Sequence, residues 1–135
     1  MVLIVDDDLD TLEIYQIIAA KSARSHQFKV FSSPIAALQW LKNRVLTGDL
    51  FPRYILIALN MVELHGFEFI DEFERNLPYQ QLSTEIIVLS NSILYQDQFQ
   101  SRRYNSVAKF ISKPLSKDQF CSLLEAASDT NTINT

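Results

Sequence analysis

The chain has 135 residues, a net charge of −4 and 47% hydrophobic side chains. This length favours one domain with its own apolar core, and the composition argues against disorder. The sequence has 2 glycines, too few for the glycine-rich loops that bind nucleotide phosphates. Net acidity argues against nonspecific nucleic-acid binding, and no apolar run reaches the roughly 20 residues of a membrane helix.

The cysteine content and the N-terminus indicate a cytoplasmic protein. Cys121 has no second cysteine with which to form a bridge within the chain, so a reducing compartment is expected. Residues Met1–Val5 lead directly into aspartate without a cationic segment, and we therefore expect no signal peptide.

Five short apolar runs predict β-strands, and they alternate with segments of helical spacing. The first, third and fourth are nearly continuous in valine, isoleucine and leucine, which is typical of strands covered on both faces. The five runs are Val2–Val5, Phe28–Phe31, Tyr54–Leu59, Ile86–Leu89 and Val107–Ile111.

The first two predicted helices begin with side chains that can accept hydrogen bonds from backbone amides. Asp10 and Glu13 have the spacing of a capping box, and Ser33 before Pro34 is typical of an N-cap followed by proline at the first helical position. Each helix has an apolar stripe that we expect to face the core: Leu12, Tyr15, Ile18 and Ala19 in the first, and Ile35, Leu38, Leu41 and Val45 in the second.

Three further helices follow from boundary residues and apolar spacing. Pro78 ends the third, residues 95–104 form a weakly amphipathic fourth, and Ser116 with Gln119 begins the fifth as a capping box. We expect residues 1–128 to form the domain and residues 129–135 to form a polar, frayed tail. The expected buried stripes are Phe67, Ile70, Phe73 and Leu77 in the third helix and Phe120, Leu123, Leu124 and Ala127 in the fifth.

This alternation predicts an α/β fold in which an open parallel sheet has helices on both faces, because parallel strands require right-handed crossovers. Ligands of such sheets bind beyond the carboxyl ends of the strands. The residues that end each strand are therefore the candidate site residues.

Three adjacent carboxylates follow the first strand, at Asp6, Asp7 and Asp8. Their mutual repulsion would make burial costly without a cation or a basic partner. Asp6 and Asp7 lie directly at the strand end, so we interpret them as ligands of a hard cation such as Mg²⁺. Asp8 and Asp10 are better explained as helix-capping residues.

The fourth strand ends at Ser90 and the fifth at Lys113-Pro114. A hydroxyl and an ammonium at neighbouring strand ends could bind a phosphoryl group. The third strand should supply the reacting group, and it ends in Ala58, Leu59 and Asn60.

Over residues 2–127 the chain resembles the receiver domains of two-component response regulators. The resemblance rests on "LIVDDD" at 3–8, "LNM…GFEFI" at 59–70, "IIVLSNS" at 86–92 and "FISKPLSKDQF" at 110–120. It implies a flavodoxin-like (βα)5 fold, a three-layer sandwich around a parallel five-stranded sheet of order 2-1-3-4-5.

The resemblance also implies roles for single residues. Asp6 and Asp7 would bind magnesium together with the Asn60 carbonyl. The switch and phosphate-contacting residues would be Ser90 as the switch hydroxyl, Phe110 as an aromatic that repositions on activation, and Lys113 against the phosphate. The Lys113–Pro114 bond would be cis, a geometry found mainly before proline.

Ala58 departs from the family pattern at the residue that would accept a phosphoryl group from a histidine kinase, two positions before Asn60. A methyl group can neither attack phosphorus nor bind magnesium. We therefore predict a phosphorylation-deficient pseudo-receiver with weakened Mg²⁺ binding, in which Lys113 can serve as the counter-ion of Asp6 and Asp7. Val62 is a second departure, because the pattern has proline there, and two departures favour natural divergence over an engineered change of aspartate to alanine.

The predicted function is that of a protein-interaction module with no catalytic residue. Its partner would be a histidine kinase, a phosphotransfer protein or a downstream protein, and a homodimer is compatible with the sequence. Contact would use the fourth helix, the fifth strand and the fifth helix, with Tyr95, Tyr104 and Arg102-Arg103 exposed. We expect no direct contact with nucleic acid or membrane.

Two alternatives remain at this point. The first is a conventional receiver in which Ala58 was engineered. The second is a small haloacid-dehalogenase-like phosphatase with Asp6 as nucleophile and Asp8 as general acid, although the expected acidic pair after Lys113 is missing. Turnover of p-nitrophenyl phosphate with Mg²⁺ would distinguish the phosphatase.

Overall fold

The computed structural model describes residues 1–22, 28–91 and 94–133, with side chains described through residue 127. Five strands form one parallel sheet of order β2-β1-β3-β4-β5, which confirms the expected topology and the flavodoxin-like fold. The strands are β1 (Val2–Val5), β2 (Phe28–Phe31), β3 (Tyr54–Ala58), β4 (Glu85–Ser90) and β5 (Val107–Ser112).

The helices of the described residues are α1 (Leu9–Ala20), α2 (Pro34–Thr47), α3 (Gly66–Asn76), α4 (Tyr79–Leu82), α5 (Tyr95–Ser101) and α6 (Lys117–Ile133). The single turn α4 was not expected from the sequence, and α5 ends three residues before the predicted boundary. The backbone of α6 continues as helix into the segment expected to be a tail, while residues 134 and 135 lie outside the described residues.

The core has two apolar layers, one on each face of the sheet. Leu3 and Val5 pack in the layer that contains α2 and α3, whereas Val2 and Ile4 pack in the layer that contains α1 and α6. Alternate residues of β1 thus enter opposite layers, and all four side chains are fully buried. This is why β1 is apolar at every position.

The N-caps agree with the sequence in α2 and α6, and in α1 the capping role of Asp8 is confirmed while that of Asp10 is not. Ser33 accepts a hydrogen bond from the amide of Ala36. Asp8, rather than Asp10, caps α1, because its side chain accepts from the amides of Asp10 and Thr11. The predicted capping box of Asp10 and Glu13 is therefore wrong, since the helix begins two residues earlier than that spacing requires.

Two reciprocal capping boxes begin α6 and α3. The amides of Ser116 and Gln119 each donate to the other's side chain, at 2.9 and 3.0 Å, as predicted. The box of α3 joins His65 and Glu68, and it was not expected from the sequence, because histidine is not among the usual N-cap residues.

Two residues of the α2 stripe do not reach the core. Ile35 and Val45 are exposed, while Leu38 and Leu41 are buried as predicted. The buried face of α2 consists of Pro34, Ala37, Leu38 and Leu41. The predicted stripe was therefore too wide, since Ile35 lies beside this face and Val45 lies beyond its last buried residue. No helix in the described part of the chain is long and apolar enough to cross a membrane.

Candidate functional site

An ion pair joins the carboxyl ends of β1 and β5. The Lys113 ammonium lies 2.5 Å from Oδ2 of Asp6, and the two side chains are 13% and 3% exposed. Since β3 and β4 separate these strands in the sheet, the lysine side chain reaches over two intervening strand ends. A buried carboxylate is thereby paired with a single positive charge, as its burial requires.

Two further oxygens of the acidic pair, one on each carboxylate, have backbone partners. Oδ1 of Asp6 accepts from the amide of Asp8 at 3.0 Å, and Oδ2 of Asp7 accepts from the amide of Val62 at 2.9 Å. The second bond links the loop after β1 to the loop after β3. Both carboxylates are therefore engaged by groups of this chain.

Ala58 ends β3 beside the ion pair. The sheet register pairs Val5 with Ile57 and Leu89 with Ala58, so Ala58 comes level with Asp6, the residue that follows β1. Its methyl group is buried at 3% exposure.

The start of α3 packs directly against the end of β3. The amide of Gly66 donates to the Leu59 carbonyl at 2.7 Å. A Cβ atom at Gly66 would lie 2.6 Å from the Ala58 carbonyl oxygen and 2.8 Å from the Leu59 Cα. The close approach of two backbones therefore requires glycine at this position.

Glu63 ties the same loop to the start of α2. One of its carboxylate oxygens accepts from the Ser33 hydroxyl at 2.6 Å and from the Ile35 amide at 3.2 Å. A carboxylate is favourable at a helix N-terminus, where backbone amides are unpaired. The sequence did not indicate this role, because 30 positions separate Glu63 from Ser33.

The structure brings Ser90 to the same edge of the sheet. Ser90 ends β4 with 2% exposure, and its carbonyl accepts from the Lys113 amide at 2.9 Å. The Lys113–Pro114 peptide bond is cis. Phe110 is half-buried and packs against the layer of α2 and α3, whereas Asn60 is exposed.

Asp8 has the electrostatics of a cap and not those of a general acid. The Thr11 hydroxyl donates to Asp8 at 2.9 Å, and this bond, with backbone bonds from Thr11 and Asp10, holds the pKa of Asp8 below its ordinary value. A general acid must carry a proton at working pH, which requires the opposite shift. The phosphatase alternative therefore gains no support here.

The acidic pair does not fit a bound magnesium ion as it is arranged. Within the described residues no three histidine, cysteine, aspartate or glutamate side chains form a group that could hold a metal. Mg²⁺ requires near-octahedral oxygen ligands, yet Lys113 neutralises Asp6 and the Val62 amide takes one oxygen of Asp7. The Asn60 carbonyl remains a prediction as a ligand.

An apolar surface lies on α5 and on the N-cap residue before it. Leu94, Tyr95 and Phe99 are 59%, 86% and 62% exposed, and the Arg103 guanidinium lies 5.6 Å from the centre of the Phe99 ring. Phe99 was missed in the sequence because its helical stripe is weak.

Tyr104 does not belong to that exposed surface, so its predicted exposure is wrong. Its ring stacks on Phe67 with 5.7 Å between centroids. Burial raises the pKa of Tyr104, and a hydrogen bond with Asp71 raises it further. An aromatic after a helix can pack inward or outward, and only the tertiary fold decides which.

The strand order, the helices on both faces and the acid–amine pair at the carboxyl ends define a flavodoxin-like α/β protein with a strand-end site. The chain belongs to the response regulator receiver domain family, whose model matches residues 2–125. Receiver domains are signalling modules of two-component systems, and they typically bind Mg²⁺ at an acidic phosphorylation site. A comparison with curated protein sequences gave no match.

Solved structures show the same fold at low identity. A two-component response regulator from Cytophaga hutchinsonii is 24% identical with a TM-score of 0.76, over 95% of this chain and 96% of that one. A CheY-like receiver domain from Methanospirillum hungatei is 16% identical with a TM-score of 0.72, over 99% of this chain and 97% of that one. A phosphorylated cyanobacterial phytochrome response regulator is 21% identical with a TM-score of 0.72, over 99% of this chain and 94% of that one.

Proposed function

We propose that this receiver domain signals as a protein-interaction module without aspartyl phosphorylation. The observation that carries the proposal is Ala58, a buried methyl group level with Asp6 at the end of β3. The receiver pattern has its phosphoacceptor aspartate two residues before Asn60, which is this position. Alanine has no oxygen with which to attack a phosphorus atom.

The neighbouring charges support the same proposal. In a phosphorylating site the lysine ammonium must be available to a phosphoryl group, whose charge it helps to neutralise. Here Lys113 is bound to Asp6. The charges of Lys113 and Asp6 therefore neutralise each other. This ion pair suits a domain that keeps one conformation without being phosphorylated.

Exposure to a small phosphodonor tests the proposal. The protein is incubated with acetyl phosphate and Mg²⁺ and its intact mass is measured, with a conventional receiver domain as the positive control for the donor. We expect no phosphoryl adduct and no turnover of p-nitrophenyl phosphate. A stable adduct on this chain would overturn the proposal.

Restoring a carboxylate separates natural divergence from an engineered change. The Ala58→Asp variant is treated with beryllofluoride and Mg²⁺, and its amide chemical shifts are compared with those of the untreated variant. We propose long-standing divergence, so we expect a weak response. A strong response across Ser90 and Lys113 would show that the rest of the site is competent and would favour an engineered alanine.

We propose α5, β5 and α6 as the surface that meets a partner. Leu94, Tyr95 and Phe99 supply exposed apolar area, and Arg102 and Arg103 add positive charge beside it. Large aromatics and arginine are the residues that anchor protein interfaces. The surface therefore suits an acidic segment with apolar side chains, in the cytoplasm, where Cys121 stays reduced.

A designed acidic, amphipathic peptide probes this surface directly. Titration should move amide signals of α5 and β5 selectively, and Phe99→Ser should weaken binding while the exposed Leu46→Ser on α2 serves as the matched control. Amide shifts that are spread over other faces of the domain would contradict binding at α5 and β5. An equal loss of peptide affinity in Phe99→Ser and Leu46→Ser would contradict it as well.

A further inference from the structure

The Val62 amide forms a bond that joins two loops of the site. It donates to Oδ2 of Asp7 at 2.9 Å, across 55 positions of sequence. The Val62 side chain is 98% exposed, so it packs against almost nothing. The contribution of this residue to the structure is therefore its backbone N–H.

That donor depends on the residue type in one respect. Every amino acid except proline supplies a backbone N–H, and Val62 stands where the receiver pattern has proline. A hydrogen bond to an ionised carboxylate is shorter and stronger than one between neutral groups. The change from proline therefore adds a charge-assisted bond between the loop after β3 and the end of β1.

The same bond occupies an oxygen that a cation would need. Asp6 is already engaged by Lys113 and by the Asp8 amide, so Asp7 is the remaining anionic ligand of the pair. With one Asp7 oxygen held by Val62, a divalent ion has to compete with an internal donor at each carboxylate.

We infer that the Val62 amide is a positioning group. Its hydrogen bond to the Asp6–Asp7 pair holds the loop after β3 in place, which is the role that a divalent cation would otherwise have. A metal ion bound to carboxylate and loop carbonyl would draw these two loops together. In this chain a hydrogen bond does so. Glu63 holds the next residue of the loop to α2, so the loop is fixed on both sides without an ion.

Hydrogen exchange of the Val62 amide tests the bond itself. Asp7→Ala removes the acceptor, whereas Asp7→Asn keeps an oxygen at the same place and serves as the matched control. We expect Val62 to exchange roughly tenfold faster in Asp7→Ala, the scale set by losing one hydrogen bond, and to stay protected in Asp7→Asn. An unchanged exchange rate in Asp7→Ala would overturn the inference.

Titration with magnesium chloride tests the consequence for ion binding. Val62→Pro removes the donor, and Val62→Ala keeps it while shortening an exposed side chain. We expect Val62→Pro to bind Mg²⁺ about tenfold more tightly than the wild type, followed by the amide shifts of residues 6–8. Val62→Ala should bind as the wild type does.

If a folded Val62→Pro variant bound Mg²⁺ with the same affinity as the wild type, the inference would be overturned. Tight binding of Mg²⁺ by the wild type would overturn it as well. If Val62→Pro fails to fold, the Asp7 exchange experiment decides. These readouts are independent of the phosphodonor test, because neither requires a reactive group at Ala58. A phosphorylated wild type would refute the proposed function and leave the Val62 bond to be judged on its own data.

Discussion

Lys113 is the residue on which the charge balance of the site depends. Its ammonium pairs with an Asp6 carboxylate that is 3% exposed. Removing one partner of a buried pair leaves an uncompensated charge, which costs more than the pair contributes in net terms. This asymmetry makes the pair testable.

Lys113→Met should lower the free energy of unfolding by about 3 kcal/mol, since Asp6 then lacks its cation. Adding Asp6→Asn should restore part of the loss, because the double variant buries no net charge. Urea unfolding measures both variants against the wild type. A single variant at least as stable as the double would contradict this account of the pair.

Asp8 gives a prediction about pH. Its pKa in the folded protein lies below the ordinary value of 3.8, chiefly because the Thr11 hydroxyl donates to the carboxylate. A depressed pKa stabilises the fold above the unfolded value, and that contribution disappears as the pH falls through the folded value. The contribution of Asp8 to the stability of the fold is therefore lost below pH 3.8.

Thr11→Val should raise the pKa of Asp8 toward its ordinary value, because the largest of the lowering bonds is removed. An NMR titration of the Asp8 carboxyl carbon measures the shift, and Thr47→Val, which alters an exposed hydroxyl in α2, serves as the control. An Asp8 titration curve that is unchanged in Thr11→Val would show that the backbone amides alone set its pKa.

The junction of β3 and α3 is set by Gly66. A Cβ there would meet backbone atoms of Ala58 and Leu59 at 2.6 and 2.8 Å, and backbone cannot move aside as a flexible side chain can. Gly48 differs, because it ends α2 with a φ of 73° and has open space around it. Substitution of Gly66 therefore tests steric overlap, and substitution of Gly48 tests backbone strain alone.

Gly66→Ala should destabilise the domain by about 3 kcal/mol, the upper range for overpacking, while Gly48→Ala should cost about 1 kcal/mol for its left-handed backbone. Chemical denaturation of the two variants gives the comparison. If Gly66→Ala proves no less stable than Gly48→Ala, the close approach of α3 to β3 does not have the importance assigned to it.

The strands and most helices were predictable because their patterns are local. The boundaries of β1 and β2 agree with the predicted runs, and Ser33 and Ser116 cap the helices that follow them. The single turn α4 was not predictable, since four residues carry no periodic signal. Ile35 was misassigned because helical spacing does not show how wide a stripe the sheet layer covers.

The candidate site was predictable only in part, because it depends on the assembled sheet. Topology alone indicates that Asp6, Ser90 and Lys113 share one edge. The bond from Val62 to Asp7 was not predictable, because a residue other than proline at position 62 supplies a backbone N–H but does not show which group accepts it. The bond from Glu63 to Ser33 was equally hidden, since the β2–α2 and β3–α3 loops meet only after the strands have paired.

The whole domain should become magnesium-dependent when a third carboxylate enters the site. Ala58→Asp changes the net charge from −4 to one unit lower, at a position that is 3% exposed and level with Asp6. Lys113 then faces more negative charge than it can neutralise, so the variant should be less stable than the wild type without divalent ions. Bound cation would stabilise the folded state by mass action.

Thermal unfolding with and without magnesium chloride, at matched ionic strength, measures this linkage. We expect Mg²⁺ to raise the Tm of Ala58→Asp by several degrees and to leave the wild type unchanged. Ala58→Asn, which adds similar volume without charge, should respond as the wild type does. If Mg²⁺ raises the Tm of the wild type as much as that of Ala58→Asp, the pair of Asp6 and Asp7 binds the cation unaided, and internal donors do not replace it.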